Sequence, residues 1–308
     1  MCHDRDADWQ PRRNWQPFRT WQYIPEIRDT PTPPPTDNAP TSHSPDVHQA
    51  SLEWIPLRQT AFERRDLASR PVITVATWNV LHRIHAENWY EDVSTRWPDE
   101  AARIDAVTAH VTARTEQVIA LQEVSGDQLI SLRAALPDRT IHAMQYPRVP
   151  TARRHASALR DPSEHLVLIV EGPSREIAAE SFADDGGKGL LAISAGGAVV
   201  IATHVSGDRR RVKQLARLAE VASATPEYAA VLLGDFNVDR ETVAASLGEG
   251  FTIADPPADA LPTRPRTSGA KSQFIDHVVV RDATLREVVV EDSGGLSDHN
   301  LVRAAIAL

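Results

Sequence analysis

The chain has 308 residues, 42% of them hydrophobic, enough for one large core or two small ones. Its formal net charge of −9 argues against indiscriminate coating of nucleic acid, because an acidic surface repels phosphate polymers at long range; a local cationic or metal-bearing cleft remains compatible with it. Cys2 is the only cysteine, so an intrachain disulfide and a cysteine-built zinc site are both excluded.

The first residues, "MCHDRDADWQ", lack an apolar signal region, and no later stretch approaches a membrane span, so the expectation is a soluble, cytoplasmic protein with no membrane partner. Residues 1–50 read as a disordered Trp/Pro-rich tail. They hold a short repeat that places Trp9, Trp15 and Trp21 six apart, then the extended run "TPTPPPTDNAPTSHSP". Three such units cannot stack into a solenoid. The tail is either a ligand for an unknown partner, through an aromatic-lined groove or single-stranded bases, or a segment with no separate task. Residues 51–70 form a lead-in that returns Trp54, Ile55 and Leu57 towards a domain spanning 71–308.

From residue 71 the pattern becomes regular. "VITVAT", "QVIALQ", "HLVLIV", "GLLAIS", "AVVIAT", "AAVLL", "FIDHVVV" and "LREVVV" read as strands, mostly apolar on both faces, as in buried sheets. "PDEAARIDAVTAHVT" reads as a helix with Pro98 in its first turn and Ile104, Val107 and Val111 on one face. "DRRRVKQLARLAEVAS" repeats the pattern with Val212, Leu215, Leu218 and Val221. Strand pairs joined directly, mixed with helix-linked strands, predict an α/β fold of packed sheets covered outside by helices.

Several of these strands end in polar residues able to do chemistry. The first ends at Asn79, the second at Glu123, another at His204, and "VLLGDFNVD" at Asp235 and Asn237; Asp276 and His277 sit inside "FIDHVVV", and Asp298-His299 precede the last strand. Each alone has a plainer explanation: a turn amide, a helix-entry acid, a hydrogen-bonded core histidine. His82 and His85, in "HRIH", read as loop residues rather than a metal pair. Carboxylates, amides and imidazoles at strand ends can nevertheless converge on one rigid cleft.

Taken in order, "TWNV", "LQEV", "THVS", "GDFN", "FIDHV" and "LSDHN" resemble the signature segments of the endonuclease/exonuclease/phosphatase superfamily over residues 71–308. The resemblance implies a DNase I-like four-layer α/β sandwich of two packed mixed β-sheets flanked by helices. It also implies hydrolysis of phosphate esters with magnesium, or manganese in its place. Glu123 becomes the main metal ligand, Asn79 a ligand or a support of the metal's outer shell, and Asp298 a further contact or a second metal position. His299, paired with Asp276, becomes the general base for the attacking water, or a phosphate contact once protonated. Asn237 offers an uncharged donor to a phosphate oxygen, Asp235 orients the nucleophile or handles a proton, and His204 contacts phosphate or protonates the leaving oxygen. Phe236 is expected to pack into the core. The family's tyrosine-bearing strand has no clear counterpart, "SEHLVLIVEG" being the nearest segment, so no phosphate-binding tyrosine is assigned; His277 is also left outside the catalytic set.

The expected substrate is a phosphate ester, DNA or RNA in the first instance, cleaved by a nuclease or end-processing phosphodiesterase. The alternatives are a phosphatase or phosphodiesterase for a small or lipid phosphate, and an inactive binding protein on the same scaffold. Arg153, Arg154, Arg264, Arg266 and Lys271 are the candidate cations at the cleft rim, with an ordinary solvated loop as the plainer reading. Elsewhere lysine is scarce: besides Lys271 only Lys188 and Lys213 occur.

Overall fold

The structure, a computed structural model, describes residues 71–89, 91–153, 157–265 and 271–308. The tail, the lead-in and the rim arginines Arg154 and Arg266 lie outside the described residues. In chain order the elements begin with β1 (Val72–Asn79), α1 (Arg83–Trp89), α2 (Val93–Arg96), α3 (Glu100–Thr112), β2 (Val118–Ser125) and α4 (Gly126–Ala135). There follow β3 (Thr140–Gln145), β4 (Glu164–Val170), β5 (Ser174–Phe182), β6 (Asp185–Ala195), β7 (Ala198–His204) and α5 (Arg211–Ser223). The chain closes with β8 (Ala229–Asp235), α6 (Arg240–Leu247), β9 (Phe251–Ile253), β10 (Asp276–Arg281), β11 (Thr284–Glu291) and β12 (Leu301–Ala307).

These strands build two six-stranded mixed sheets, in the orders β11-β12-β1-β2-β4-β3 and β5-β6-β7-β8-β10-β9. Val75, Val118 and Leu168 of the first sheet pack against Leu191, Val200 and Val231 of the second. On the outer face of the first, Trp78, Leu121 and Ile169 meet Val107 and Val111 of α3 and Leu132 of α4. On the outer face of the second, Leu190, Ile201 and Leu232 meet Leu215 and Leu218 of α5 and Val243 of α6. The result is the expected four-layer α/β sandwich. A strand covered on both faces has no need of alternation, which is why its sequence reads as a continuous apolar run.

Local details depart from the sequence reading. Pro98 lies before the α3 cap rather than in the first turn; Asp99 is the cap, its carboxylate accepting the Ala101 N–H at 3.0 Å. Val212 sits on the solvent side of α5, 63% exposed, so the apolar stripe starts at Leu215. Of "HRIH" only His82 lies in a loop: Arg83 opens α1 and His85 lies within it.

Each sheet contains one parallel pair, β1–β2 and β7–β8, with Asn79 opposite Gln122 and His204 opposite Asp235 at the carboxyl ends. The two pairs meet at one edge of the sandwich, where the Asn79 amide of β1 donates to Asp235 of β8 at 3.1 Å. Gly234 makes the β7–β8 end possible, because a Cβ there would overlap the Thr203 carbonyl oxygen.

Candidate active site

At this edge the backbone is bent out of regular strand geometry in two places. Leu121 pairs with Val167 and Val124 with His165, so Gln122 and Glu123 face one residue of β4 and form a bulge, with Glu123 at φ +59°. Asn237 lies at φ +54°, in a conformation that asparagine tolerates better than most residues. Its N–H donates to Asp235 Oδ1 at 2.8 Å, and this side-chain turn is what ends the β8 run in Gly-Asp-Phe-Asn. Phe236 is fully buried, edge-on to His277, whose Nε2 bonds the Val238 carbonyl at 2.8 Å; His277 is a core histidine.

Asp235 is the hub. Its Oδ2 lies 3.1 Å from Asn79 Nδ2, 3.3 Å from His204 Nε2 and 3.9 Å from His299 Nε2. Glu123 stands beside it, accepting from the same Asn79 amide at 3.2 Å and from the His82 N–H at 3.1 Å, with His204 Nε2 at 3.9 Å. The opposite side of the site is a buried pair, His299 Nδ1 to Asp276 Oδ2 at 2.9 Å. Thr263 Oγ1 holds this pair by accepting the Asp276 N–H at 3.1 Å. The His299 carbonyl takes the Trp78 indole N–H at 2.9 Å, and Ser297 bridges its backbone to the end of β1, donating to the Asn79 carbonyl at 2.6 Å. All five residues expected to be catalytic and all three expected at a metal are thus brought to one place.

Charge follows from this packing. Burial alone would raise the Asp235 and Glu123 carboxyls, but both are held well below the usual carboxylate range. For Asp235 the opposing force is His204, by hydrogen bond and charge, then His299 and Lys188; for Glu123 it is His85, His204 and Lys188. Burial would depress His299, but Asp276, Asp298 and Asp235 surround it and carry it up to about 9. Burial pushes the Asp276 carboxyl up against the pull of His299.

The expected metal ligands fare unequally. Asn79 Oδ1 already accepts the Leu81 N–H at 2.9 Å, so its amide holds two carboxylates in place rather than offering an oxygen. Asp298 Oδ2 is bound by Arg264 at 2.7 Å, while its Oδ1 is buried without a hydrogen-bond partner. Atoms of Asp235, Asp276 and His299 also lie within 4.8 Å of one another, but the Nδ1–carboxylate bond and the imidazolium charge oppose ligation there. Glu123 and Asp235, two ionised carboxylates converging on a cleft, are the oxygen-donor set that fits a hard divalent cation.

The cleft has a volume of about 1130 Å³ and reaches from these carboxylates to Trp89 and Arg153 on α1 and the 148–153 loop. Of the rim cations, Arg153 lines it. Arg264 does too, but as an ion-paired residue rather than a free one, between Asp298 and Glu91. Lys271 is a correction: it lines a second cleft with Phe274 and Val238, not this one.

Three features escaped the sequence reading. Lys188 of β6 enters the cleft and contacts His204 Nε2. A lysine between two glycines in an arginine-rich chain was the available signal: a Cβ at Gly187 would overlap the Arg148 guanidinium, and one at Gly189 the Glu180 carbonyl. His85 lines the cleft and pairs with Glu164 at 3.0 Å, the acid at the head of β4. Tyr146 is buried with its hydroxyl unpartnered, and burial beside Glu164, Glu123 and Asp235 raises its pKa.

Two face-to-face mixed sheets, helices outside, and an acid–imidazole centre at the carboxyl edge of two parallel strand pairs define a DNase I-like α/β sandwich. The sequence profile of the Endonuclease/Exonuclease/phosphatase family matches residues 76–299, and the chain belongs to that family. Solved structures with the same fold include a TDP2 of D. rerio humanized by 14 mutations, at 14% identity and a TM-score of 0.57, covering 77% of this chain and 100% of that one. A D. rerio TDP2 complexed with single strand DNA product is 12% identical, with a TM-score of 0.55 and coverage of 77% and 99%. The human Nocturnin catalytic domain with bound sulfate anion is 15% identical, with a TM-score of 0.56 and coverage of 77% and 94%. No curated protein matches the sequence significantly. No helix among the described residues is long and apolar enough to cross a membrane.

Proposed function

We propose that the protein is a divalent-metal-dependent phosphodiesterase acting on nucleic acid, as a nuclease or an end-processing enzyme. The observation that carries this reading is the convergence of ionised Glu123 and Asp235, clamped by one Asn79 amide, opposite the buried His299–Asp276 pair. Glu123 and Asp235 would hold magnesium or manganese, with Asp298 Oδ1 as a further oxygen; the ion would supply positive charge to the phosphoryl oxygens.

The remaining roles belong to the chain itself. With Asp276 on Nδ1, His299 carries a proton at neutral pH and aims Nε2–H into the cleft, which favours the phosphate-contact role over the general-base role. Asp235 accepts a hydrogen bond from the attacking water and orients it. The Asn237 amide spends one N–H on the Val205 carbonyl at 2.9 Å and keeps the second for a phosphate oxygen. Lys188 and His204 face the same position and stabilise charge on the departing oxygen.

A cleft of about 1130 Å³ exceeds the roughly 300–1,000 Å³ typical of small-ligand pockets and suits a strand. The single strand DNA product bound by the D. rerio TDP2 relative points the same way. The test is hydrolysis of single-stranded DNA, RNA, duplex and small phosphomonoesters, with magnesium and with chelator. We expect metal-dependent cleavage of a nucleic acid; cleavage of small esters alone would refute the substrate class, and no hydrolysis with magnesium, or with manganese in its place, would refute the reaction.

A further inference from the structure

The cleft has an exposed aromatic wall that the chemistry above leaves unused. Among the described residues, the exposed large apolar side chains lining it are Trp89 and Val149, and the Trp89 indole is 63% exposed. Leaving an indole in water forfeits much of the stabilisation that its burial would give, so its position at a cleft mouth calls for a ligand. The Arg153 guanidinium lies 4.9 Å from the Trp89 ring centroid and makes no ion pair with a described residue.

This platform is built rather than accidental. Asn88, the residue before the tryptophan, clamps the facing loop at both ends of its amide: its Nδ2 donates to the Thr151 carbonyl at 3.0 Å, and its Oδ1 accepts the Arg153 N–H at 3.0 Å. The two bonds fix the Arg153 backbone against the end of α1, so the stack exists before any ligand arrives.

We propose that Trp89 and Arg153 form a stacking subsite for a nucleobase adjoining the phosphate held at the catalytic centre. The inference rests on the nucleic-acid reading of that centre and specifies how it recognises its substrate. A quaternary ammonium head group is disfavoured, because a cation, the Arg153 guanidinium, already covers the ring. An aromatic ligand carrying negative charge satisfies both members at once: the base stacks on the indole, and Arg153 stacks on the base or meets a flanking phosphate. Such stacking is tolerant of base identity, since every base has a π-face.

The test measures binding by fluorescence anisotropy on the full-length protein in chelator, so that no turnover intervenes. The ligands are a short thymidine oligonucleotide and an equally long strand of abasic tetrahydrofuran units. Turnover of both is then followed with magnesium. We expect the thymidine strand to bind about 10- to 100-fold tighter than the abasic strand. That ratio should fall close to one in Trp89→Ala and be largely kept in Trp89→Phe. Equal affinity for the two strands, or a ratio that Trp89→Ala leaves intact, overturns the subsite. A thymidine monophosphate arm separates the sources of the base: a strand site prefers the oligonucleotide, and equal affinity per base would assign the subsite to free nucleotides. If neither strand is hydrolysed but the base-dependent binding disappears in Trp89→Ala, the reaction is wrong and the subsite stands. If both are hydrolysed and the ratio ignores Trp89, the subsite alone fails.

Discussion

His299→Ala should destabilise the fold as well as disable the site, and the loss should be recovered by a second, charge-removing change. His299 and Asp276 are 2% and 3% exposed and bonded at 2.9 Å, so deleting the imidazole strands a buried carboxylate. Removing one partner of a buried ion pair costs about 3–5 kcal/mol. Burial already pushes the Asp276 carboxyl up, so the orphaned acid takes up a proton readily and the loss belongs at the lower end, about 3 kcal/mol. For a domain of this size that is a fall in Tm of about 6–12 °C. Asp276→Asn/His299→Ala carries the same cavity without the charge, and should melt several degrees above His299→Ala. Circular-dichroism melts and urea titrations of the wild type, both single variants and the double variant give the coupling. A His299→Ala variant that melts within about a degree of wild type, or single losses that add, would show that the buried pair is not coupled in this way.

Lys188→Met should lower kcat by about 10- to 100-fold with a smaller change in KM, because the ammonium reaches the reacting phosphate region beside His204; an unaltered kcat would make Lys188 a bystander. Acid stability offers a check far from the site. Arg114 bonds Glu291 at 2.5 Å and, outweighing burial, also holds the Glu116 carboxyl low; both acids are depressed in the folded chain. Their stabilisation is therefore present above the unfolded carboxylate range, near pH 4.5, and is lost as the pH falls through the lower folded values. Tm measured from pH 6 to pH 3 should fall less steeply in Glu291→Gln than in wild type, and parallel curves would contradict this.

The central strands were legible because they are covered on both sides: "HLVLIV" and "AVVIAT" are β4 and β7 almost residue for residue. β3 and β5 were not, since "TIHAMQ" and "SREIAAESF" occupy sheet edges, where half-exposed positions accept polar residues and leave no apolar run. The site was legible as a set of strand ends in family order, and Asn79, Glu123, His204, Asp235, Asn237, Asp276 and His299 do lie together at one edge of the sandwich. What each does depended on distances that spacing cannot carry. The bulge that turns Glu123 inward depends on β4, more than 40 residues away, as the contact of His165 Nδ1 with the Val124 carbonyl illustrates. Arg264 looked like a rim cation because its partners, Glu91 and Asp298, are remote in sequence. Lys188 lies in no family segment; its flanking glycines were a signal of close packing, and its role shows only when β6 is laid beside β7, which sets Gly189 opposite His204.

Glu123 and Asp235, if they act as proposed, form an oxygen cradle for a divalent cation. Manganese titration of the metal-free protein, followed by electron paramagnetic resonance of the free ion, tests it without requiring a substrate. Saturable binding in wild type, displaced by magnesium and weakened at least about 10-fold in Glu123→Gln, is the predicted result. Binding that Glu123→Gln leaves unchanged, or no binding by the wild-type chain, would contradict the account.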